Sequence, residues 1–255
     1  MANVIAITIQ KGGVGKTATS AALGAGLVLR GYKTLFVDLD AQGNLSYTLG
    51  ADATGLTGNS AFEVLQRQCS AADAIQHTGG GDIISSSPAL AGLDTVLTAI
   101  GKEYRLKEAL QPLQGLYDYI VIDTPPALGI ATVNALTAAG GVIIPAQADV
   151  YSLQGVGQLY GTIQTVKAYC NPSLHVLGIL ITRFNGRSVI SRDMASLLQQ
   201  TAQKLGSRVF PQPIRECSAI REAAACRADI YSYAPRSHAT ADYSALIDAI
   251  TAQEE

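Results

Sequence analysis

Residues 10–17 read Gln10-Lys11-Gly12-Gly13-Val14-Gly15-Lys16-Thr17 and follow the apolar run Val4-Ile5-Ala6-Ile7-Thr8-Ile9. A strand, a glycine-rich turn and a Gly-Lys-Thr opening a helix together specify a loop for nucleotide phosphates. Glycine has no Cβ, so the backbone can turn sharply and aim its N–H groups into a concave anion nest. The helix that opens near Lys16 adds the positive end of its dipole. Lys16 is expected on the β- and γ-phosphates, and the Thr17 hydroxyl on Mg²⁺. A glycine-rich turn with an incidental lysine would look similar in isolation; the strand before it and the helix after it separate the two. Where the standard loop has its first glycine, this chain has Gln10, and Lys11 is an extra lysine whose charge points at or across the phosphates.

Acids come next. In Phe36-Val37-Asp38-Leu39-Asp40-Ala41-Gln42-Gly43-Asn44, two aspartates stand at i and i+2 where a strand is expected to end. On a pleat they would point the same way. Loop-capping aspartates share this pattern, but beside a phosphate loop two acids suit a magnesium nucleotide. In Tyr119-Ile120-Val121-Ile122-Asp123-Thr124-Pro125-Pro126, an apolar strand delivers a carboxylate that can hold Mg²⁺ through water. The two prolines bar a helix directly after the acid. An aspartate in such a place also serves as a helix N-cap elsewhere.

Positioning these groups requires a sheet. Strands are expected at 3–9, 34–38, 82–86, 118–123, 141–145, 176–182 and 207–210. Helices are expected at 16–30, 60–68, 88–99, 103–113, 130–139, 151–169, 188–205, 216–226 and 238–252. Most of the strands are continuous apolar runs, as a parallel sheet covered on both faces demands. The alternation predicts an α/β, doubly wound, mostly parallel sheet with helices on both faces, binding ligands at the carboxyl ends of its strands. Segment 50–81 reads as loops and short helices, and residues 1–255 as a single P-loop ATPase domain. At 48% hydrophobic and 15% charged residues, the 255-residue chain has ample core. No run reaches the ~18 apolar residues of a membrane span, and the N-terminus carries no export signal. Cys69, Cys170, Cys217 and Cys226 have no metal-ligand spacing, so reduced thiols in a cytoplasm are expected. With a net charge of −2, any nucleic-acid contact must come from a local patch.

Lys11-Gly12-Gly13-Val14-Gly15-Lys16-Thr17 resembles the deviant Walker A loop of the ParA/MinD/nitrogenase-iron-protein superfamily. The resemblance implies that Lys11 reaches the nucleotide of a facing subunit, in a homodimer formed on ATP. The nucleotide-binding set then runs through Lys11, Gly12, Gly13, Val14, Gly15, Lys16, Thr17 and Ala18. Segment 38–44 is similar to the family's first switch, with Ala41 in place of proline; Asp40 would position or activate the attacking water, and Asp38 would lie near the Mg²⁺ shell. Asp123-Thr124-Pro125-Pro126 is similar to the second switch. Lys11, Lys16 and Asp40 form the implied catalytic set, and Thr17, Asp38 and Asp123 the metal set. Ile144–Gln147 with Tyr151–Gly155 resembles the partition-ATPase segment after the next strand. Gly178–Phe184 resembles the strand before the adenine-side loop, and Tyr233–Ser237 a late family segment. Where the family has Ile-Pro-Arg-Asn at the adenine pocket, this chain has Ile214-Arg215-Glu216-Cys217.

The ParA/Soj group fits best. No cysteine lies in 124–150 to hold an iron–sulfur cluster, and the tail after Asp242 has no Lys or Arg and ends acidic, so an anionic membrane should repel it. The short N-terminus leaves no room for a helix-turn-helix. The resemblance implies ATP and Mg²⁺ as cofactors, nonspecific DNA and a ParB-like centromere-binding protein as partners, and a cytoplasmic, nucleoid-associated place of work. The arginine-rich third (Arg183, Arg187, Arg192, Arg208, Arg215, Arg221, Arg227, Arg236) offers phosphate contacts, with Arg187 and Arg221 the first choices. Charge alone is equally consistent with a salt-bridged surface. A metabolic ATP-dependent synthase or ligase, or a positioning ATPase for a non-DNA cargo, would share every motif.

Overall fold

In the computed structural model, which describes residues 1–55 and 58–252, every strand but one runs in the same direction. The strands are β1 (Asn3–Ile7), β2 (Thr34–Asp38), β3 (Ile75–Thr78), β4 (Gly81–Ile84), β5 (Tyr119–Asp123), β6 (Gly141–Gln147) and β7 (His175–Thr182). They form one seven-stranded sheet in the order β3-β4-β2-β5-β1-β6-β7. Only β3 is antiparallel, paired with β4 at the edge. The helices are α1 (Lys16–Leu29), α2 (Asn44–Leu49), α3 (Ala61–Gln66), α4 (Leu93–Val96), α5 (Arg105–Leu110), α6 (Ile130–Ala138), α7 (Val150–Tyr169), α8 (Val189–Lys204), α9 (Ala219–Ala225), α10 (Ile230–Tyr233) and α11 (His238–Thr251).

The two-residue period of a strand sorts the apolar side chains into two cores. Val4 and Ala6 of β1, with Ile120 and Ile122 of β5, join one core; Ile5, Ile7, Tyr119 and Val121 join the other. α1 and α11 pack on the second face, where Leu23, Leu27, Leu246 and Ile247 are buried. Gly24 permits this approach, because a Cβ there would lie 2.0 Å from Cε1 of Phe36.

Register does the rest. Asp38 and Asp123 are direct neighbours across β2 and β5, and Ile7 neighbours Asp123 across β1 and β5. The phosphate loop therefore leaves β1 beside both strand-ending acids, at the carboxyl edge of the sheet.

Four expectations need correction. The run 207–210 is no strand: Val209 makes an isolated bridge to Ile179, and Pro211 and Pro213 lack the N–H needed to extend a ladder. Segment 50–81 contains β3, whose hairpin with β4 turns through Gly79-Gly80. The stretches 88–99 and 103–113 are broken helices, 3₁₀ turns flanking the short α4 and α5. A six-residue α2 follows directly after the first acidic segment. Residues 56–57 of segment 50–81 and the acidic end 253–255 lie outside the described residues.

Candidate active site

The phosphate loop is shaped by two left-handed glycines, Gly13 at φ +74° and Gly15 at φ +89°, conformations that cost a residue with a Cβ free energy. Its carbonyls are tied back into the protein. Gln147 Nε2 donates to Gly13 O at 2.9 Å and Thr182 Oγ1 to Val14 O at 2.7 Å. With these loop oxygens accepting from side chains of β6 and β7, the loop's N–H groups are left for an anion. A Cβ built on Gly12 or Gly13 would meet nothing within 4 Å, so the cradle is open on that side.

Lys16 is buried at the first position of α1, and its Nζ donates to Lys11 O at 2.7 Å. Burial lowers its pKa, opposed by the charges of Asp123 and Asp40. An ammonium held under the loop with a single carbonyl partner suits capture of a phosphate oxygen.

Asp123 is fully buried at the end of β5. It accepts from Thr17 Oγ1 at 2.7 Å and from Ser20 Oγ at 2.9 Å, so two hydroxyls of α1 hold its carboxylate. Asp38, also fully buried, accepts from Ser46 N at 2.9 Å, Ser46 Oγ at 2.8 Å and Asp40 N at 3.1 Å. Burial first, and then the other's charge for Asp123, push both carboxyls above the ordinary carboxylate range. Two adjacent buried acids call for a cation. Among the described residues no three His, Cys, Asp or Glu side chains form a self-sufficient metal cage.

Asp40 lies beyond the pleat of β2. β2 ends at Asp38, and the chain turns there through the Asp40 N–H to Asp38 bond. Asp40 is half-buried; it accepts from Gln42 N at 3.1 Å, and Ser86 Oγ donates to its carbonyl at 2.5 Å. The strand carboxylate is thus sealed in while the turn carboxylate keeps access to the site.

Lys11 reaches away from Lys16. Its Nζ donates to Asp149 Oδ2 at 2.5 Å and to Ser152 Oγ at 3.2 Å, and lies 5.9 Å from the centre of the Tyr151 ring. Asp149 is also the N-cap of α7, accepting from Ser152 N at 2.8 Å. Burial would raise its pKa, but the bonds from Lys11 and Ser152 hold it below the ordinary value.

Ala18 lines a cavity of about 160 Å³ on the β7 side of the loop, together with Gly15, Thr182, Ile214, Cys217 and Tyr243. Arg221, on α9, lines this cavity too, so it is not independent of the nucleotide site. Arg187 sits in the exposed turn after β7, its N–H donating to Asn185 Oδ1 at 3.1 Å. Arg183, Arg192, Arg208, Arg215 and Arg227 are engaged by Glu216, Gly186 O, Leu177 O, Asp242 and the Tyr47 ring, respectively.

The structure thus brings together Lys16, Thr17, Asp38, Asp40 and Asp123, and leaves Lys11 and Arg187 outside that cluster. Ser20, Ser46, Asp149 and Gln147 were missed. Ser20 could have been found from its place one helical turn after Lys16; the others are visible only through the register and loop packing.

A parallel sheet with a lysine-bearing phosphate loop after β1 and buried acids ending β2 and β5 defines a P-loop ATPase of the ParA/MinD superfamily. The AAA_31 family model, an AAA domain, matches residues 2–176. The sporulation initiation inhibitor protein Soj of Bacillus subtilis is 36% identical over 99% of both chains. The chromosome partitioning protein ParA of Myxococcus xanthus is 41% identical over 75% of this chain and 68% of its own. Among solved structures, cobyrinic acid a,c-diamide synthase from Mycobacterium smegmatis with bound ADP and magnesium is 35% identical, at TM-score 0.86 over 100% of this chain and 96% of that one. The chain belongs to the AAA_31 family and is a ParA/Soj-type ATPase.

Proposed function

We propose that this ATPase partitions DNA: it dimerises on ATP, binds DNA without sequence preference, and hydrolyses ATP to move plasmid or chromosome copies apart. The observation that carries the reading is the similarity to Soj, 36% identical over 99% of both chains. A ParB-like DNA-bound partner would stimulate turnover, and the protein would work in the cytoplasm on the nucleoid. Among the described residues no helix is long and apolar enough to cross a membrane.

The geometry supports the following residue roles. The N–H groups of residues 12–18 and the Lys16 ammonium bind the β- and γ-phosphates. Thr17 would hold Mg²⁺ directly, with Asp123 and Asp38 behind it; the ion, when bound, neutralises charge on the phosphates. Asp40, open to the site, orients the water that attacks the γ-phosphorus as the bond to ADP breaks. Lys11 leaves Asp149 and exchanges that carboxylate for the phosphates of a facing subunit, so assembly costs an intramolecular ion pair and gains a new one. Arg187 contributes to the DNA surface.

A second reading is a small-molecule ATP enzyme, favoured by the 35% identity to the Mycobacterium smegmatis synthase over the full chain. Retention on duplex DNA of unrelated sequence separates the two. Binding with ATP and Mg²⁺ and its loss with ADP are expected; no binding in either state would replace the partition reading with the synthase.

A further inference from the structure

Segment 214–217, which stands where the family has its adenine-pocket motif, is tied to α11 by a pair, Arg215 and Asp242, whose second member lies in no motif above. Residues 210–216 run beside β7 as an irregular flank. Phe210 N donates to Ile179 O at 2.9 Å, Ile214 N to Ile181 O at 2.8 Å, and Phe184 N to Ile214 O at 3.0 Å. Prolines at 211 and 213 deny this flank a full ladder, so it needs another anchor. The anchor is Asp242 on α11, which is 1% exposed. It accepts from Arg215 N at 2.9 Å, Arg215 Nη2 at 2.6 Å, Arg215 Nε at 3.0 Å and Gln212 Nε2 at 2.8 Å. A buried carboxylate is tolerable only when its lone pairs are filled in this way.

The next residue of α11 touches the other half of the site. Tyr243 is buried, its hydroxyl lies 3.4 Å from Thr19 Oγ1 on α1, and its ring lines the cavity shared with Gly15, Ala18, Ile214 and Cys217. One turn of α11 therefore grips the phosphate helix through Tyr243 and the flank through Asp242. The acids of β2 and β5 occupy the opposite side of the loop. A nucleotide whose phosphates sit on residues 12–17 has this cavity, at the carboxyl end of β7, for its base.

We propose that Arg215 and Asp242 are a positioning pair that sets the base-side wall, and so govern affinity for the base half of ATP without contacting the phosphates. This rests on the nucleotide-site reading and is independent of any role on DNA. Because the pair is one hydrogen-bonded unit, breaking either end frees the same flank, and the two losses do not add.

The test measures calorimetric affinity for Mg-ATP and for Mg-tripolyphosphate, which has the phosphates and no base. Arg215→Met, at the partly exposed end of the pair, and Asp242→Asn should each weaken ATP binding roughly tenfold and change tripolyphosphate by less than about twofold. The double variant should be no weaker than the weaker single one. Unchanged ATP affinity in Arg215→Met, parallel loss of both ligands, or additive losses would overturn the proposal. Should Asp242→Asn fail to fold, Arg215→Met decides alone. A wild-type protein that bound neither ligand would overturn the nucleotide site itself, a result distinct from all of these.

Discussion

The two sides of the phosphate loop are built in different ways. On the acid side, Asp38 and Asp123 are strand ends in register, buried, and fixed by hydroxyls of Ser46, Thr17 and Ser20. On the base side, the wall is an irregular flank held by the Arg215–Asp242 ion pair, one partner of which is partly exposed. The acid side is rigid because strand pairing and burial set it, as transfer chemistry on a phosphate requires. The base side has a few backbone bonds to β7 and a side-chain anchor on α11 in place of a full ladder.

Lys16→Ala gives the sharpest contrast. It removes the buried ammonium beneath the loop, and ATP affinity should fall by roughly a hundredfold or more, the loss expected for charge-assisted bonds to phosphate. Equilibrium ATP binding measures this, and unchanged affinity would remove the phosphate-loop assignment. Lys11→Ala should leave ATP affinity nearly intact while abolishing ATP-driven dimerisation, since its ammonium rests on Asp149 and not under the loop. A variant that still dimerises and hydrolyses normally would show that Lys11 acts within its own chain.

The acid side also predicts a pH effect. Asp38 and Asp123 have raised folded pKa values, so above the ordinary carboxylate value near ~4 the folded state holds more protons than the unfolded one. Stability without Mg²⁺ should therefore fall as pH rises from that value through their raised values. Thermal melts across this range, repeated with Asp123→Asn, check it; a slope no shallower in the variant would contradict the assignment. The smallest effect concerns DNA. Arg187→Ala should lower the salt slope of binding by about one and leave ATP affinity unchanged. Equal salt slopes would place the DNA surface elsewhere. Arg221 is a poorer probe because it also lines the base-side cavity.

The sequence exposes the acid side more fully than the base side for the same physical reason. Lys16, Thr17 and Asp123 lie at strand ends or a helix start, where apolar runs and glycines mark the boundaries. Asp38 and Asp40 are legible as a pair, but their division into a sealed and an open carboxylate depends on where β2 stops and on Ser46, eight residues on in α2. The parallel sheet was legible in its apolar runs; β3 was not, because its half-exposed residues Ile75–Thr78 carry no apolar run. The Lys11–Asp149 and Arg215–Asp242 pairs join residues 138 and 27 positions apart, and nothing local in either segment announces its partner.

The proposed function requires an ATP-driven dimer whose hydrolysis depends on Asp40. The most direct measurement is the light-scattering mass of Asp40→Ala with ATP and Mg²⁺, taken alongside its turnover. A stable dimer that binds ATP with near wild-type affinity and hydrolyses it on the order of a hundredfold more slowly is the predicted result. A monomer that turns over ATP at the wild-type rate would contradict it.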